Sequence, residues 1–303
     1  MIISSKELRT KFLDFYRSKG HGIMPSASLV PKEDPTVLYN TAGMQPIIPY
    51  LLGQKHPLGV RLANSQKCLR TDDIEEIGDN RHLSYFEMLG SWSLGEYFKK
   101  DSIEWGFEFL TSKDWLGLDP NRLFVTVYKG NEKVGIKPDI EAIELWKNCF
   151  KTLGINANDG IEYDFKDNSG DDYIYKITQK SGKDNWWGLP YKGPCGPCSE
   201  IYYLLDSHPT DFQSSILPNL KPNEIEEWLD SNVVEIWNHV FMQYIGEWDT
   251  IKEPLYVEDL ENKCIDTGMG FERTLAVMNN LENVYETDAL SPIVDVVNKY
   301  STR

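Results

Sequence analysis

Residues 233–244 constrain the fold more than any other stretch, because they predict a strand longer than most. A period of two predicts one common face for five of their side chains: Val234, Ile236, Asn238, Val240 and Met242. Residues 64–89 predict an antiparallel pair of strands joined by a long polar loop. Long antiparallel strands framed by helices favour an α+β fold over a doubly wound parallel sheet.

Composition limits the classes to which the chain can belong. Its 303 residues suffice for one large domain or two smaller ones, and a hydrophobic content of 41% fits a sizeable core. The formal net charge of −16 argues against binding nucleic acid through overall attraction, although it leaves room for a local basic patch. The sequence shows no signal peptide and no apolar run of membrane-spanning length, so we expect a cytoplasmic protein. We expect a monomer, although the sequence does not determine the oligomeric state.

The cysteines do not follow the spacing of a disulfide framework, which favours a reduced intracellular compartment. They are Cys68, Cys149, Cys195, Cys198 and Cys264. The pair Cys195-x-x-Cys198 resembles half of a zinc site, but a structural site needs a second pair of ligands and only His208 is near. We therefore expect no zinc, and we expect this proline- and glycine-rich segment to form a pocket wall.

Residues 266–273, Asp-Thr-Gly-Met-Gly-Phe-Glu-Arg, hold the most suggestive chemistry. Gly268 and Gly270 predict a tight turn that a ligand can approach closely, leading into an apolar helix. A helix start attracts anions, Asp266 is suited to an ammonium group, and Arg273 is suited to a phosphate or nucleobase. A glycine-rich turn without a ligand is an equally good explanation of this segment alone.

A second candidate site lies where the predicted strands flank the polar loop. Arg70 ends the first strand, and Phe86 and Met88 share one face of the second, with Glu87 on the other face. A fixed guanidinium beside an aromatic ring can bind a phosphate and stack a purine. The alternative is a surface arginine and a core phenylalanine.

Several motifs, in this order, resemble the catalytic domain of the alanyl-tRNA synthetases. They include Thr-Ala-Gly-Met at 41–44, Phe-Glu-Met-Leu-Gly at 86–90, Gly-Pro-Cys-Gly-Pro-Cys at 193–198, Glu-Ile-Trp-Asn at 235–238 and Asp-Thr-Gly-Met-Gly at 266–270. Residues 12–21, which end in Lys-Gly-His, and residues 28–31, which end in Pro31, also match. The resemblance extends from about residue 8 to residue 300, so it covers nearly the whole chain.

This resemblance implies a class II aminoacyl-tRNA synthetase fold, an antiparallel sheet flanked by helices, as one catalytic domain over residues 1–303. The implied activity is that of an alanine–tRNA ligase: alanine and ATP give alanyl-adenylate, and alanine is then transferred to the 3′ end of tRNA(Ala). We expect no editing domain and no C-terminal domain in this chain, and we expect no membrane partner.

The resemblance also implies roles for individual residues. Arg70 and Arg273 are the catalytic arginines. The residues implied to bind ATP are Arg70, Arg81, His82, Phe86, Glu87, Met88, Gly268, Gly270 and Arg273. The residues implied to bind alanine are Met44, Arg70, Trp187, Asn238, Val240, Asp266 and Gly268. Glu200 and Glu235 are candidate ligands for Mg²⁺ beside ATP, and each is also compatible with a salt-bridged strand residue.

The chain departs from the family in the loop at 71–78, which is short and acidic and lacks the usual Gly-Gly-Lys. An acidic loop repels phosphate, which weakens the case for contact with the tRNA acceptor stem. Two further functions therefore stay open: an enzyme that loads alanine onto a carrier protein or small molecule, and a non-catalytic binding module.

Overall fold

The computed structural model describes residues 2–31, 38–71, 74–161, 175–188, 192–248 and 254–301. Two predicted features extend outside these ranges. The acidic loop includes Asp72 and Asp73, and the segment that follows Trp187 includes Leu189 and Pro190.

A mixed sheet of ten strands is the centre of the described part of the chain. The strands are β1 (Gly22–Ile23), β2 (Arg61–Leu69), β3 (Tyr85–Leu94), β4 (Leu123–Tyr128), β5 (Asp159–Ile161), β6 (Ile177–Lys180), β7 (Trp186–Gly188), β8 (Gly193–Leu204), β9 (Val233–Trp248) and β10 (Pro254–Gly270). Their order is β1-β2-β3-β10-β9-β8-β4-β6-β5, and β7 pairs with β8 beside this path. The central pairs are antiparallel, whereas β1–β2, β4–β6 and β5–β6 are parallel.

Helices lie on both faces of the sheet. Those described are α1 (Ser5–Ser18), α2 (Ile48–Leu51), α3 (Lys99–Thr111), α4 (Ile140–Thr152), α5 (Gly182–Asn185), α6 (Phe212–Ser215), α7 (Pro222–Asn232), α8 (Phe271–Met278) and α9 (Ser291–Tyr300). Phe12 of α1, Phe107 of α3 and Trp146 of α4 pack with Trp237 of β9 in what we call the main core. Of the helices in the described ranges, none is both long and apolar enough to cross a membrane.

The first helix follows directly from its sequence. The Ser4 hydroxyl accepts a hydrogen bond from the backbone N–H of Glu7 and so caps the helix start. Four of its apolar residues recur at helical spacing and are buried: Leu8, Phe12, Phe15 and Tyr16. The predicted antiparallel pair over residues 64–89 is likewise confirmed as β2 and β3.

A β-bulge interrupts the alternation of β9 next to β8. Ile201 pairs with Trp237, but Tyr202 pairs with Glu235, so Ile236 is the extra residue. Ile236 and Trp237 are consecutive, yet both are buried in the main core. The period of two therefore changes phase at this point.

The phase change corrects the prediction of one common face for the five residues of this strand. That prediction is wrong for Val234 and Ile236, which pack in the main core. It holds for the other three, which lie on the opposite face: Asn238, Val240 and Met242. The same change turns Glu235 toward the face of Asn238, where the sequence pattern alone would not have placed it.

We expect Gly196→Ala to destabilise the protein by about 3 kcal/mol, because this glycine lies against a neighbouring backbone. A Cβ at Gly196 would lie 2.0 Å from the carbonyl oxygen of Phe241, and a strand carbonyl cannot move aside without breaking its ladder. Thermal denaturation measures the effect, with the exposed Ser215→Ala as the control that should leave the melting temperature almost unchanged. Equal melting temperatures for the two variants would contradict this close approach of β8 to β9.

Candidate active site

One face of the sheet carries most of the predicted site residues. Side chains of directly paired residues point to the same side of an antiparallel ladder. Gly268 pairs with both Gly90 and Asn238, and Asp266 pairs with Val240. We call this side the site face and the side that carries the main core the helix face.

Gly268 and Gly270 both belong to the extended strand β10, so the predicted tight turn is wrong. Gly270 has a φ of −66° and directly precedes α8. A Cβ at Gly268 would lie 2.6 Å from the sulfur of Met88, so this glycine lets Met88 pack onto the strand. Gly268 therefore makes room for the Met88 side chain on the site face, and neither glycine forms the predicted turn.

Asp266 lies half-buried on the floor of the site face. Its Oδ1 accepts a hydrogen bond from Nε1 of Trp92 at 2.6 Å. Burial raises the pKa of Asp266 to about 7, and the Trp92 bond offsets this only in part. Within the described ranges no lysine or arginine shifts the pKa of this carboxylate, so no basic side chain there serves as its counter-ion. A cationic ligand could take that place.

An apolar wall lies next to this carboxylate. Met44 and Val240 are almost fully buried in a second cluster that also contains Trp92 and Cys198, which we call the pocket cluster. Trp187 of β7 packs against this cluster. The wall and the carboxylate together suit a ligand that has an ammonium group and a small side chain.

Asn238 adds an unsatisfied polar atom to the site face. Its Oδ1 is buried and has no hydrogen-bond partner among the residues that the structure describes. Buried amide oxygens are almost always paired in native proteins, so an unpaired one beside a pocket indicates a missing donor. A ligand N–H group could supply this donor.

Arg70 is held in a fixed orientation at the end of β2. Its Nε donates to the carbonyl oxygen of Thr41 at 3.0 Å, and its guanidinium carbon lies 5.1 Å from the centre of the Phe86 ring. Thr41 belongs to the segment that brings Met44 into the pocket cluster. The predicted juxtaposition of a fixed guanidinium and an aromatic ring is therefore present, and Arg70 also contacts the segment that contributes to the apolar wall.

Arg273 and Arg81 place two positive charges close together. Arg273 lies in the first turn of α8, and its Nη1 is 3.2 Å from a carboxylate oxygen of Glu235. Burial lowers the pKa of Arg81, and the nearby charge of Arg273 lowers it further. Two guanidinium groups that repel each other favour a polyanion such as a triphosphate.

Glu200 and Glu235 lie on neighbouring strands of the site face. Glu200 is buried, and its carboxylate accepts a hydrogen bond from the Tyr202 hydroxyl at 2.8 Å. Burial raises the pKa of Glu200 to about 8, and the charge of Glu235 contributes to the increase. A buried carboxylate next to another carboxylate is an environment that a divalent cation would stabilise.

The polar loop before β3 is anchored at both sides of Arg81. The Asp79 carboxylate accepts hydrogen bonds from the backbone N–H groups of Arg81 and His82, and it also contacts the His82 ring at 2.6 Å. The Tyr285 hydroxyl donates to the carbonyl oxygen of His82 at 3.0 Å. His82 thus has loop partners, and Arg81, whose Nε donates to Oδ1 of Asn80 at 3.2 Å, lies near enough to Arg273 to feel its charge.

Glu87 requires a correction, because its side chain lies on the helix face and does not line the predicted ATP site. Both of its carboxylate oxygens accept hydrogen bonds from Arg9 of α1 at 2.7 Å. Its backbone N–H donates to both carboxylate oxygens of Glu272, at 3.0 and 3.2 Å. Glu87 therefore stabilises β3 from the helix face, whereas Phe86 and Met88 lie on the site face.

The sequence reasoning missed Trp92 and Glu272. A signal for Trp92 was present, because the period of two that relates Phe86 to Met88 continues to Gly90 and Trp92. Glu272 had no comparable signal, because its contact with Glu87 joins residues that are far apart in the sequence.

The described residues contain no ready-made metal site. Among them, no group of three or more histidine, cysteine, aspartate or glutamate side chains is arranged to hold a metal ion. All five cysteines are buried and none of them forms a disulfide. A cation on the site face would consequently need ligands from a bound molecule in addition to Glu200 and Glu235.

Comparisons with known proteins place this geometry in context. The family model described as tRNA synthetases class II (A) matches residues 7–303. An alanine–tRNA ligase from Treponema pallidum (strain Nichols) is 42% identical over 294 residues, which are 97% of this chain and 42% of that protein.

Two further alanine–tRNA ligases give similar values. The protein from Treponema denticola is 41% identical over 300 residues, 99% of this chain and 44% of its own length. The protein from Borrelia garinii subsp. bavariensis is 44% identical over 296 residues, 95% of this chain and 42% of its own length. This chain therefore spans less than half the length of these relatives.

Proposed function

This chain belongs to the class II tRNA synthetases, and from that membership we propose that it activates alanine with ATP and transfers the alanyl group to the 3′ end of tRNA(Ala). The observation that carries the proposal is Asp266, a carboxylate without a counter-ion in the described ranges, beside the wall of Met44 and Val240. The α-ammonium group of alanine supplies the missing charge, and its methyl group fits against the apolar wall. Asn238 provides an amide oxygen for an ammonium proton.

The arginines of the site face suit the first step. An oxygen of the alanine carboxylate attacks the α-phosphorus of ATP, the bond to the bridging oxygen breaks, and pyrophosphate leaves with the electron pair. Two anions must approach each other, so positioning and charge neutralisation are the main tasks of the protein. Arg70 neutralises the carboxylate and the α-phosphate, Phe86 stacks with the adenine, and Arg273 and Arg81 bind the outer phosphates.

Glu200 and Glu235 are the residues that would hold Mg²⁺. Their carboxylates lie on one face, and Mg²⁺ in nucleotide sites commonly takes one or two carboxylates together with phosphate oxygens. When bound, the cation reduces the negative charge of the phosphates. Tyr202 keeps the Glu200 carboxylate in place on the protein side.

A second candidate function is the loading of alanine onto a carrier protein or a small molecule. The observation in its favour is the acidic loop before β3, in which Glu75 and Glu76 are exposed and Glu76 contacts His82 at 3.2 Å. Negative charge at this position opposes a nucleic-acid acceptor. The two functions share the activation step and differ only in the acceptor.

Alanine-dependent ATP–pyrophosphate exchange, measured beside the charging of total tRNA, tests both candidate functions. Exchange together with charging supports the proposed function, and exchange without charging supports the second candidate. Absence of exchange overturns both and leaves a binding module. Alanine binding without turnover, measured by calorimetry, would then identify such a module.

We expect glycine and serine to be activated as well, with kcat/KM lower than for alanine by about 10- to 200-fold. One methyl group against Met44 and Val240 contributes too little free energy for stronger discrimination against glycine, and an apolar wall rejects an added hydroxyl only weakly. Pyrophosphate exchange at high amino-acid concentration measures both, with valine as the larger side chain that should be rejected. Undetectable serine-dependent exchange would contradict this view of the pocket.

A further inference from the structure

Asn185 is a completely buried polar residue to which the roles above assign nothing. It ends α5 and directly precedes Trp186 and Trp187, the first two residues of β7. Since Trp187 packs against the pocket cluster, whatever fixes β7 also fixes this wall of the site.

The ladder that attaches β7 to β8 is short. Trp186 pairs with Pro197 and Trp187 pairs with Gly196, and a proline has no N–H group to donate. A side chain compensates for this: Nδ2 of Asn185 donates to the carbonyl oxygen of Cys198 at 3.1 Å. The amide thereby holds the start of β7 against the strand that contributes Cys198 to the pocket cluster.

The same Nδ2 makes a second and shorter bond. It donates to Oγ1 of Thr126 in β4 at 2.7 Å. The Thr126 hydroxyl also accepts from the backbone N–H of Glu200 at 3.2 Å and can donate to the Glu200 carboxylate at 3.4 Å. The two N–H donors thus occupy both acceptor sites of the Thr126 oxygen, which leaves its own proton to point toward the Glu200 carboxylate.

We propose that Asn185, anchored on Thr126, is a positioning residue for the alanine subsite, holding Trp187 against the wall that Met44 and Val240 form. This assignment rests on the proposed function. We expect a small contribution to the phosphate side, because the Glu200 carboxylate also accepts a hydrogen bond from the Tyr202 hydroxyl at 2.8 Å, which does not involve Thr126. The pair therefore acts on alanine far more than on ATP.

The test measures pyrophosphate exchange with Asn185→Ala and with the isosteric Thr126→Val. Each substitution leaves a buried hydrogen-bonding group without its partner, and we expect the KM for alanine to rise about tenfold while the KM for ATP changes less than about twofold. Discrimination between alanine and serine should fall in both. Thr126→Ser, which keeps the hydroxyl, should restore the wild-type values, and the double variant should be no worse than either single one.

Ser199→Ala is the matched control. Ser199 is equally buried in β8, and its hydroxyl accepts from Nε1 of Trp146 at 2.8 Å and donates to the carbonyl oxygen of Thr126 at 2.7 Å, but it lies on the helix face. Loss of these bonds should lower the melting temperature without changing either KM.

The outcomes separate the two proposals. A wild-type chain without exchange overturns the proposed function and this assignment with it. An active wild type with an unchanged KM for alanine in folded Asn185→Ala, or an equal rise of both KM values, overturns this assignment alone. If Asn185→Ala does not fold, the KM values of Thr126→Val decide whether the assignment holds. If neither variant folds, the role of the pair is purely structural and the proposal is overturned.

Discussion

Arg70→Ala is expected to abolish alanine-dependent pyrophosphate exchange, with kcat/KM falling about a thousandfold or more. The guanidinium is held before any ligand arrives, by the bond from its Nε to the Thr41 carbonyl and by the Phe86 ring below it. A preorganised cation of this kind needs no rearrangement as the alanine carboxylate and the α-phosphate approach each other. Initial rates of exchange at saturating ATP measure the loss.

Two variants make this result interpretable. Arg70→Lys keeps the positive charge but loses the planar fork that contacts two anions at once, so we expect an intermediate loss of activity. Arg17→Ala removes an exposed arginine that pairs with Asp14 on α1, and it should retain full activity. A folded Arg70→Ala protein with a near-normal rate would refute the assigned role.

The sequence predicted the central strands better than it predicted their register. The class II fold, an α+β sheet flanked by helices, is confirmed. The strands β2 and β3 overlap the predicted antiparallel pair, and β9 lies where a period-two pattern indicated it. The bulge at Ile236 was not predictable, because it arises from pairing with β8 and leaves the alternation in the sequence unchanged. The parallel edge strands β5 and β6 are too short to produce a pattern of their own.

The strand β10 shows why the floor of the site was misjudged. Its centre, residues 258–263, is polar, and it ends in two glycines, which local rules associate with turns. What keeps residues 264–269 extended despite the glycine is pairing on both sides, with β3 and β9. The functional reason for glycine there is the close packing of Met88, and only the fold reveals it.

The site residues divide according to how far their roles depend on the fold. The Asp266 carboxylate and the Arg70 guanidinium have chemistry that residue type and motif resemblance indicate directly. The Glu87 side chain was assigned to the ATP site through the motif resemblance, although alternation places it on the face opposite Phe86 and Met88. Asn185 forms its contacts with residues of distant strands, so no pattern within its own segment predicts them.

Asp266→Asn is expected to raise the KM for alanine by about 100-fold or more, because a charged partner of the substrate ammonium is replaced by a neutral one. The isosteric amide oxygen still accepts the hydrogen bond from Trp92 Nε1, so the geometry of the pocket floor should persist. The KM for ATP should change much less, since the proposed function assigns the phosphates to the arginines. Steady-state exchange at varied alanine and ATP separates the two, and Asp14→Asn on the exposed surface of α1 is the control.

The pH dependence gives this prediction a definite sign. Burial raises the pKa of Asp266 from 3.8 to about 7, so its charge destabilises the folded protein once the pH exceeds 3.8, and the effect is complete above about pH 7. Asp266→Asn should therefore be more stable than the wild type by about 2 kcal/mol at pH 8, and the difference should disappear as the pH falls toward 4.

Below pH 7 alanine must displace a proton from the wild-type carboxyl, so the wild-type KM for alanine should rise about tenfold for each unit by which the pH falls. The KM of the variant should not change with pH. An Asp266→Asn protein that binds alanine normally would show that the carboxylate does not hold the substrate ammonium. A variant that is less stable than the wild type at pH 8 would show that Asp266 has a counter-ion in solution, and either result would remove the central support for an ammonium site.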